Sequence, residues 1–303
     1  MKRFRAARLA QTGRQRRYTA FHTRAPRAHQ NGLTRGATIE TQAGLRISVV
    51  IPVLNDADFL EPCLAALERG RRPADEIVIV DNGSTDESAA VARAHGARVI
   101  WEPIKGIPRA ASAGYDAATG DIIARLDADS IPGPDWLERI ERAFTEREEL
   151  SFVTGGSRFY GSNRLIHWIG ENLYIGAMYT VLPPFFGHMP VFGSNMAMRA
   201  DTWRELSDEV HREEALVHDD LDLTFHIKPE MTVLYDRDLI VGVSARPFAS
   251  FAAIGRRIRW VFPTVALHWP AQTVRERRRL RRLAATERKG FTEDQRTQSR
   301  LQR

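Results

Sequence analysis

The sequence is nearly without cysteine: Cys63 is the one thiol in 303 residues. A single thiol excludes an intramolecular disulfide framework and any cysteine zinc cluster. Cys63 sits in "LEPCLAALERG" at helical spacing with Leu60, Leu64 and Leu67, which reads as core packing. Long apolar runs are missing too. The opening "MKRFRAARLAQTGRQRR" has the basic region of a secretory signal but no apolar stretch behind it. The most apolar long segment, "LIHWIGENLYIGAMYTVLPPFFGHMPVFG", is broken by Glu171, Asn172 and Pro183-Pro184, too often to span a bilayer. A cytoplasmic location is therefore expected. No internal repeat is visible. Acidic residues are scarce at both ends: of the net charge of +6, residues 1–44 carry +9 and residues 271–303 carry +7, which leaves about −10 for residues 45–270. An acidic body matches a phosphate backbone poorly and a cation well, so no nucleic-acid partner is expected.

With 43% hydrophobic residues the chain can bury a sizeable core in one or two domains. Residues 1–44, rich in Arg, Gln, Thr and Ala without an apolar period, read as a disordered basic arm. At Leu45 the pattern changes. "RISVVIPVL", "DEIVIVD", "ARVIWE" and "DIIARLD" are strands covered on both faces. Between them lie the helices "DADFLEPCLAALERG", "GSTDESAAVARAHG" and "PRAASAGYDAATG". The second should open on a capping box, with Ser84 as cap and Glu87 three residues on. Strands alternating with helices through short loops predict an α/β fold with a doubly wound, mostly parallel sheet flanked by helices. After residue 150 the rhythm is irregular. "LSFVTGGSRFYG" reads as a strand and loop, "NRLIHWIGENLYIGAMYTVL" as a helix and "VFGSNMAMR" as a strand. "VHDDLDLTFHI" should begin a short helix, "MTVLYDRDLIVGVSA" suggests two short strands, and "FASFAAIGRRIRWVFPTVALHW" is helical with a basic patch.

Ligands of doubly wound sheets collect at the carboxyl ends of the strands. Those ends carry Pro52 and Asn55, Asp81, Glu102, and the pair Asp127 and Asp129. Side chains two apart on an extended strand point the same way, so Asp127 and Asp129 should set two negative charges side by side. A metal ion, a sugar hydroxyl or a lysine could offset them. Alternatively Asp129 or Ser130 caps the helix after Pro132 and Asp127 orders a turn. In the second half, the acidic run Asp219, Asp220 and Asp222 could complement a helix dipole or supply a general base.

"SVVIPVLND", "IVIVDNGSTD", "GDIIARLDAD", "FGSNMAMR" and "HDDLDLTFH", in this order over about residues 46–260, resemble the family 2 glycosyltransferases of GT-A fold. The resemblance implies a smaller acceptor-side subregion after the nucleotide-binding half. It implies a D-x-D motif in which Asp129 meets a divalent metal, manganese or magnesium, and Asp127 faces the ribose or the metal. Asp81 would accept from the nucleotide base, and Pro52 and Asn55 would line the same pocket. Relatives often carry Glu after that Asn; here it is Asp56. Arg109 would reach a phosphate or base. The Glu-Asp-x-Asp-Leu pattern falls on Asp219 and Asp220, with Asp220 as the base that removes the acceptor proton. Gly193, Ser194 and Asn195 would frame the acceptor, glycine allowing close approach. "RRIRW" is similar to a Gln-x-x-Arg-Trp motif, with Arg256 in place of Gln. Arg259 would hold a diphosphate and Trp260 would stack on a sugar.

These readings converge on a metal-dependent, inverting transfer of a sugar from a nucleoside-diphosphate sugar to a saccharide or lipid-linked acceptor. Residues 45–150 would hold the nucleotide sugar, and residues 151–270 the acceptor and the base. Residues 271–303 would form a basic tail able to touch the inner face of a membrane. A nucleotidyltransferase on a related sheet would need a Gly-rich basic loop after the first strand, which "IPVLNDADF" lacks. A non-catalytic module that uses its basic ends on RNA or anionic lipid is the other rival.

Overall fold

The computed structural model describes residues 44–214, 216–246, 251–268, 273–284 and 286, without the side chains of residues 251–258 and 260. The expected arm falls outside the described residues up to residue 43, as does the end of the basic tail. The first half alternates as expected: β1 (Ile47–Val53), α1 (Ala57–Glu68), β2 (Glu76–Asp81), α2 (Ser88–Ala94), β3 (Arg98–Trp101), α3 (Ile107–Ala117) and β4 (Ile122–Arg125). Then come β5 (Ser130–Pro132), α4 (Trp136–Glu146) and β6 (Leu150–Tyr160). α5 (Arg164–Trp168), a π-helical stretch (Ile169–Ile175), α6 (Gly176–Val181) and α7 (Pro183–Phe186) lead to β7 (Met196–Arg199) and α8 (Ala200–Leu206). α9 (Asp219–His226), β8 (Thr232–Ser244), α10 (Phe251–His268) and a helix over 274–284, α11, follow.

One eight-stranded sheet runs in the order β3-β2-β1-β4-β7-β6-β8-β5. β1 pairs in parallel with β2 and β4, β2 with β3, and β6 with β8; β7 is antiparallel to β4 and β6, and β5 to β8. The sheet is therefore mostly parallel, and it crosses residue 150 without a break. Its central strands are apolar at every step because both faces are covered. Ile47, Val49, Ile51 and Val53 join the core with α1 and α4, and Val50, Val78 and Val80 join the core with α3, α8 and α9. α3 lies very close to the sheet. A Cβ on Gly114 would stand 2.3 Å from a Val50 methyl and 2.7 Å from a Val80 methyl. The glycine lets α3 settle there, and that puts its first turn at the strand ends.

Three local expectations change. α2 begins at Ser88, not Ser84, and has no capping box. Asp86 takes the amides of Ser88 and Ala57, each at 3.0 Å, so residues 84–87 serve as a loop tied to the start of α1. The two short strands expected in 231–245 are one long strand, because both parts pair with β6 on either side of a bulge opposite Gly155 and Gly156. The basic tail begins as α11, which is docked by its arginines. Arg281 donates to the carbonyls of Ile227, Lys228 and Met231, Arg277 to that of Phe225 and Arg278 to that of Pro184. These partners include the open carbonyls after α9, where a cation is favoured. Among the described residues, no helix is long and apolar enough to cross a membrane.

Candidate active site

The two aspartates of the D-x-D motif stand on a turn and not on a strand, since β4 ends at Arg125. Ser130 closes the turn: its amide donates to the Asp127 carbonyl at 3.0 Å, and its hydroxyl accepts the Asp127 amide at 3.2 Å. Strand alternation is therefore not what brings the two carboxylates together. Asp127 accepts from Arg125 at 3.1 Å and from the Ser194 hydroxyl. Asp129 accepts from Arg246 at 3.1 Å, and Arg246 also donates to Asp56 at 2.6 Å while lying over the Phe59 ring. Asp56 is the first residue before α1, but its carboxylate makes no cap. Burial, with the charge of Asp127 added, pushes the Asp129 carboxyl up to about 6 against the pull of Arg246. Cys63 is buried beneath the turn, as its helical spacing predicts.

Pro52, Asp127 and Asp129 line a polar cleft of about 440 Å³ with Asp56, Asn82 and Asp219. Asn55 and Asp81, expected to line the same pocket, do not line the cleft and instead shape its loops. Asn55, at φ 53°, accepts the Thr85 amide at 2.7 Å, and Asp81 accepts the Ser84 amide at 2.8 Å. Buried Asn82 pins the loop before α3 by donating to the carbonyls of Glu102 and Ile104 and accepting the Gly106 amide. Arg109 does not line the cleft. Its guanidinium pairs with Glu213, so the expectation that it reaches a phosphate finds it committed elsewhere.

Across the cleft, the start of α9 presents His218 and Asp219, with Asp220 turned to the other side. Asp219 pairs with Arg125, a buried guanidinium that also meets Asp127 and the Tyr115 hydroxyl. Asp220 accepts from the Gly193 amide at 3.0 Å and faces His218 Nδ1 at 2.7 Å. Burial alone would raise its carboxyl, but His218, Arg125 and the Gly193 amide outweigh that and hold it well below the usual range. A Cβ on Gly193 would stand 3.0 Å from the Arg125 guanidinium, so the close approach expected of this glycine is toward Arg125. Asn195 is corrected. It is fully buried, donating to Gly156 and Leu239 carbonyls and accepting from the Trp136 indole, so it holds strands together and cannot reach an acceptor. Arg259 is exposed on α10; the side chains of Trp260 and Arg256 lie outside the described residues.

Sequence reading missed Arg125, and a signal existed: an arginine inside "DIIARLD", a strand otherwise apolar. It also missed a second cavity. Behind Asp220 lies an apolar groove of about 570 Å³ walled by Leu173, Val181, Phe186, Phe225 and Val265. His218 lines both spaces. Chemically, Asp56, Asp127, Asp129, Asp219 and Asp220 gather around the guanidiniums of Arg125 and Arg246, leaving an excess of negative oxygen donors. That donor set fits a hard divalent cation. His218, Asp219 and Asp220 also bring ligand atoms within 4.8 Å of one another.

Comparisons with known proteins point the same way. The model of the family "Glycosyl transferase family 2" matches residues 48–212. The chain is 38% identical over 126 residues to an uncharacterized glycosyltransferase of Mycobacterium tuberculosis, over 42% of this chain and 54% of that one. It is 31% identical over 170 residues to glucosyl-3-phosphoglycerate synthase of Mycobacterium tuberculosis, over 48% of this chain and 52% of that one. It thus spans about half the length of these curated relatives. Among solved structures, a mannosyltransferase from Pyrobaculum calidifontis in complex with GDP-Man and Mn2+ superposes with TM-score 0.58 at 20% identity, over 74% of this chain and 64% of that one. The Mycobacterium tuberculosis synthase with Mn2+, UDP and phosphoglyceric acid gives TM-score 0.53 at 23% identity, over 73% of this chain and 78% of that one. These likenesses establish the GT-A fold that the motifs predicted.

Proposed function

This chain belongs to glycosyl transferase family 2, and from that premise we propose a metal-dependent, inverting transfer of a sugar from a nucleoside diphosphate to an acceptor hydroxyl. The observation that carries the reading is the meeting of two cavities at His218. The polar cleft opens on one side with Asp127 and Asp129, and the apolar groove on the other with Asp220. The cleft has the size of a small-ligand site and takes the donor. Asp127 and Asp129 would hold manganese or magnesium, whose charge would offset that of the departing diphosphate. Asp220 accepts the acceptor proton, held in place by His218 and the Gly193 amide. A carboxylate kept ionised is always ready, and its low proton affinity suffices because the hydroxyl acidifies as its bond to the sugar forms. Arg125 ties Asp127 to Asp219, so the two walls of the cleft share one cation.

The groove favours an acceptor with an apolar body, such as a lipid-linked one. Leu173, Val181 and Phe185 line it and remain more than half exposed. The intact chain should be screened by thermal shift with UDP, GDP, CMP and dTDP, with and without Mn2+, since relatives of this fold were solved with GDP-Man or UDP and Mn2+. The sugar nucleotide of the best base is then tested for turnover with a polyprenyl-phosphate and with a free saccharide. A Mn2+-dependent shift with one base and turnover on the lipid is expected. No shift with any diphosphate would overturn the reading, and turnover on the saccharide alone would overturn the acceptor assignment.

A further inference from the structure

Two residues beyond Asp220, the chain builds a second constellation that the transfer reaction does not use. Asp222 is 2% exposed, and three histidines from three segments converge on its carboxylate. His211, from the loop after α8, brings Nδ1 to 2.7 Å. His268, at the end of α10, brings Nε2 to 2.9 Å. His226, one turn along α9, donates Nδ1 to the Asp222 backbone carbonyl at 2.9 Å, which sets its ring 3.7 Å from the carboxylate and leaves Nε2 as its ligand atom. Among the described residues, the contacts of this carboxylate are these rings and the His211 amide, with no lysine or arginine. The charge of this buried carboxylate is met by imidazoles alone among its side-chain partners.

The rings have the mutual spacing of a ligand set. One ligand atom from each of the four side chains lies within 4.8 Å of every other. The ring centroids are 5.3 Å apart for His211 and His226, 5.3 Å for His211 and His268, and 4.8 Å for His226 and His268. Three imidazoles bound at roughly 2.0–2.1 Å to one tetrahedral centre place their ring centres about 5 Å apart. Asp222 and His226 are four residues apart on α9, which sets both on one face. We propose that His211, Asp222, His226 and His268 form a closed binding site for zinc or a similar borderline divalent cation, separate from the oxygen-donor site of Asp127 and Asp129. Three imidazoles and one carboxylate select zinc over magnesium or calcium, and four protein ligands with no open position mark a structural role. The ion would join the loop after α8, α9 and the end of α10, and so fix the helix that carries Asp219 and Asp220.

The test is metal binding, read apart from activity. The full chain is stripped with a chelator, titrated with Zn2+ in excess Mg2+ by calorimetry, and its tetrahedral coordination read from the visible spectrum of the Co2+ form. About one tight equivalent is expected, retained in Asp127→Asn/Asp129→Asn and weakened about tenfold or more in His226→Gln and in His211→Asn. His211 is the safest position for the fold, because its side chain is 32% exposed. Absence of Zn2+ binding by the stripped wild-type chain would overturn the proposal. So would an equivalent that the histidine variants keep, or one that only the Asp127→Asn/Asp129→Asn variant loses.

Discussion

The half of this molecule proposed to take the donor and the half proposed to take the acceptor are held together by different means. From β1 to β4, several loops are pinned by side chains close in sequence or one βα unit away, Asp81 to Ser84, Asn55 to Thr85 and Asn82 to Gly106, with Arg246 to Asp56 as a long-range exception. From β6 onward the ties reach much farther. Arg125 meets Asp219, His268 meets Asp222, and Arg281 meets the carbonyls after α9. The first side opens as a cleft that carries Asp56, Asp127 and Asp129, while the second opens as a groove walled mostly by apolar side chains. A repeating βα unit can position its loops by local turns, whereas the irregular second half is assembled from distant segments.

The largest expected effect sharpens this division. Asp220→Asn should lower kcat by about 10²–10⁴-fold while donor affinity stays near wild type, since a base acts only on the acceptor proton. Asp222→Asn should leave the transfer step milder in comparison, because its carboxylate faces the histidines and not the cleft. If Asp220→Asn retains turnover within about threefold while Asp219→Asn destroys it, the base has been placed one residue off. Next comes Arg125→Met, which breaks a buried link between the two sides. It leaves Asp127 and Asp219 without their buried cation and should cost about 3–5 kcal/mol in urea denaturation. A loss below about 1 kcal/mol would show that the two sides are coupled by something else.

The contrast also explains what was legible in the sequence. Continuous β-branched runs and helical spacing gave away β1 to β4 and the order of the strand ends, because each depends on neighbours a few residues away. For Asp127 and Asp129 the strand alternation gives way to the turn that Ser130 closes, and both still line the cleft. Asn195 is an acceptor residue only by the resemblance of its loop to the family's, and the tertiary partners Trp136, Gly156 and Leu239 make it core. The groove and the histidine cluster leave no periodic trace at all. His211, His226 and His268 are spread over 58 residues and are brought together by α9 and α10.

A third prediction belongs to the donor side. Asp129→Asn should weaken Mn2+-dependent nucleotide binding about tenfold or more with the melting temperature held, because an amide is a poor ligand for a hard cation. Unchanged Mn2+-dependent affinity in calorimetry would assign the cation to the His218, Asp219 and Asp220 group instead.

The smallest effect separates the two sides by acid. Donor-side Asp75, Glu76 and Asp86 sit below their usual carboxyl values: hydrogen bonds and ion pairs outweigh the burial that would raise them. Their contribution is present above the unfolded values near 4 and is lost only as pH falls through the lower folded ones. His188, on the acceptor side, works the other way. Burial first, then Arg281 and Arg277, hold its ring down to about 3 against the Met189 carbonyl, from an ordinary 6.5. Below 6.5 the unfolded chain takes up a proton that the folded chain refuses, so stability falls with pH through that window. From pH 6.5 to pH 5 the loss should be about 1–2 kcal/mol. His188→Gln removes the titrating ring and should flatten that part of the urea stability profile, leaving the steeper fall below pH 4 unchanged. If the variant and the wild type decline in parallel from pH 6.5 to pH 5, His188 is already protonated or solvated in the fold, and the acceptor side is no more acid-sensitive than the donor side.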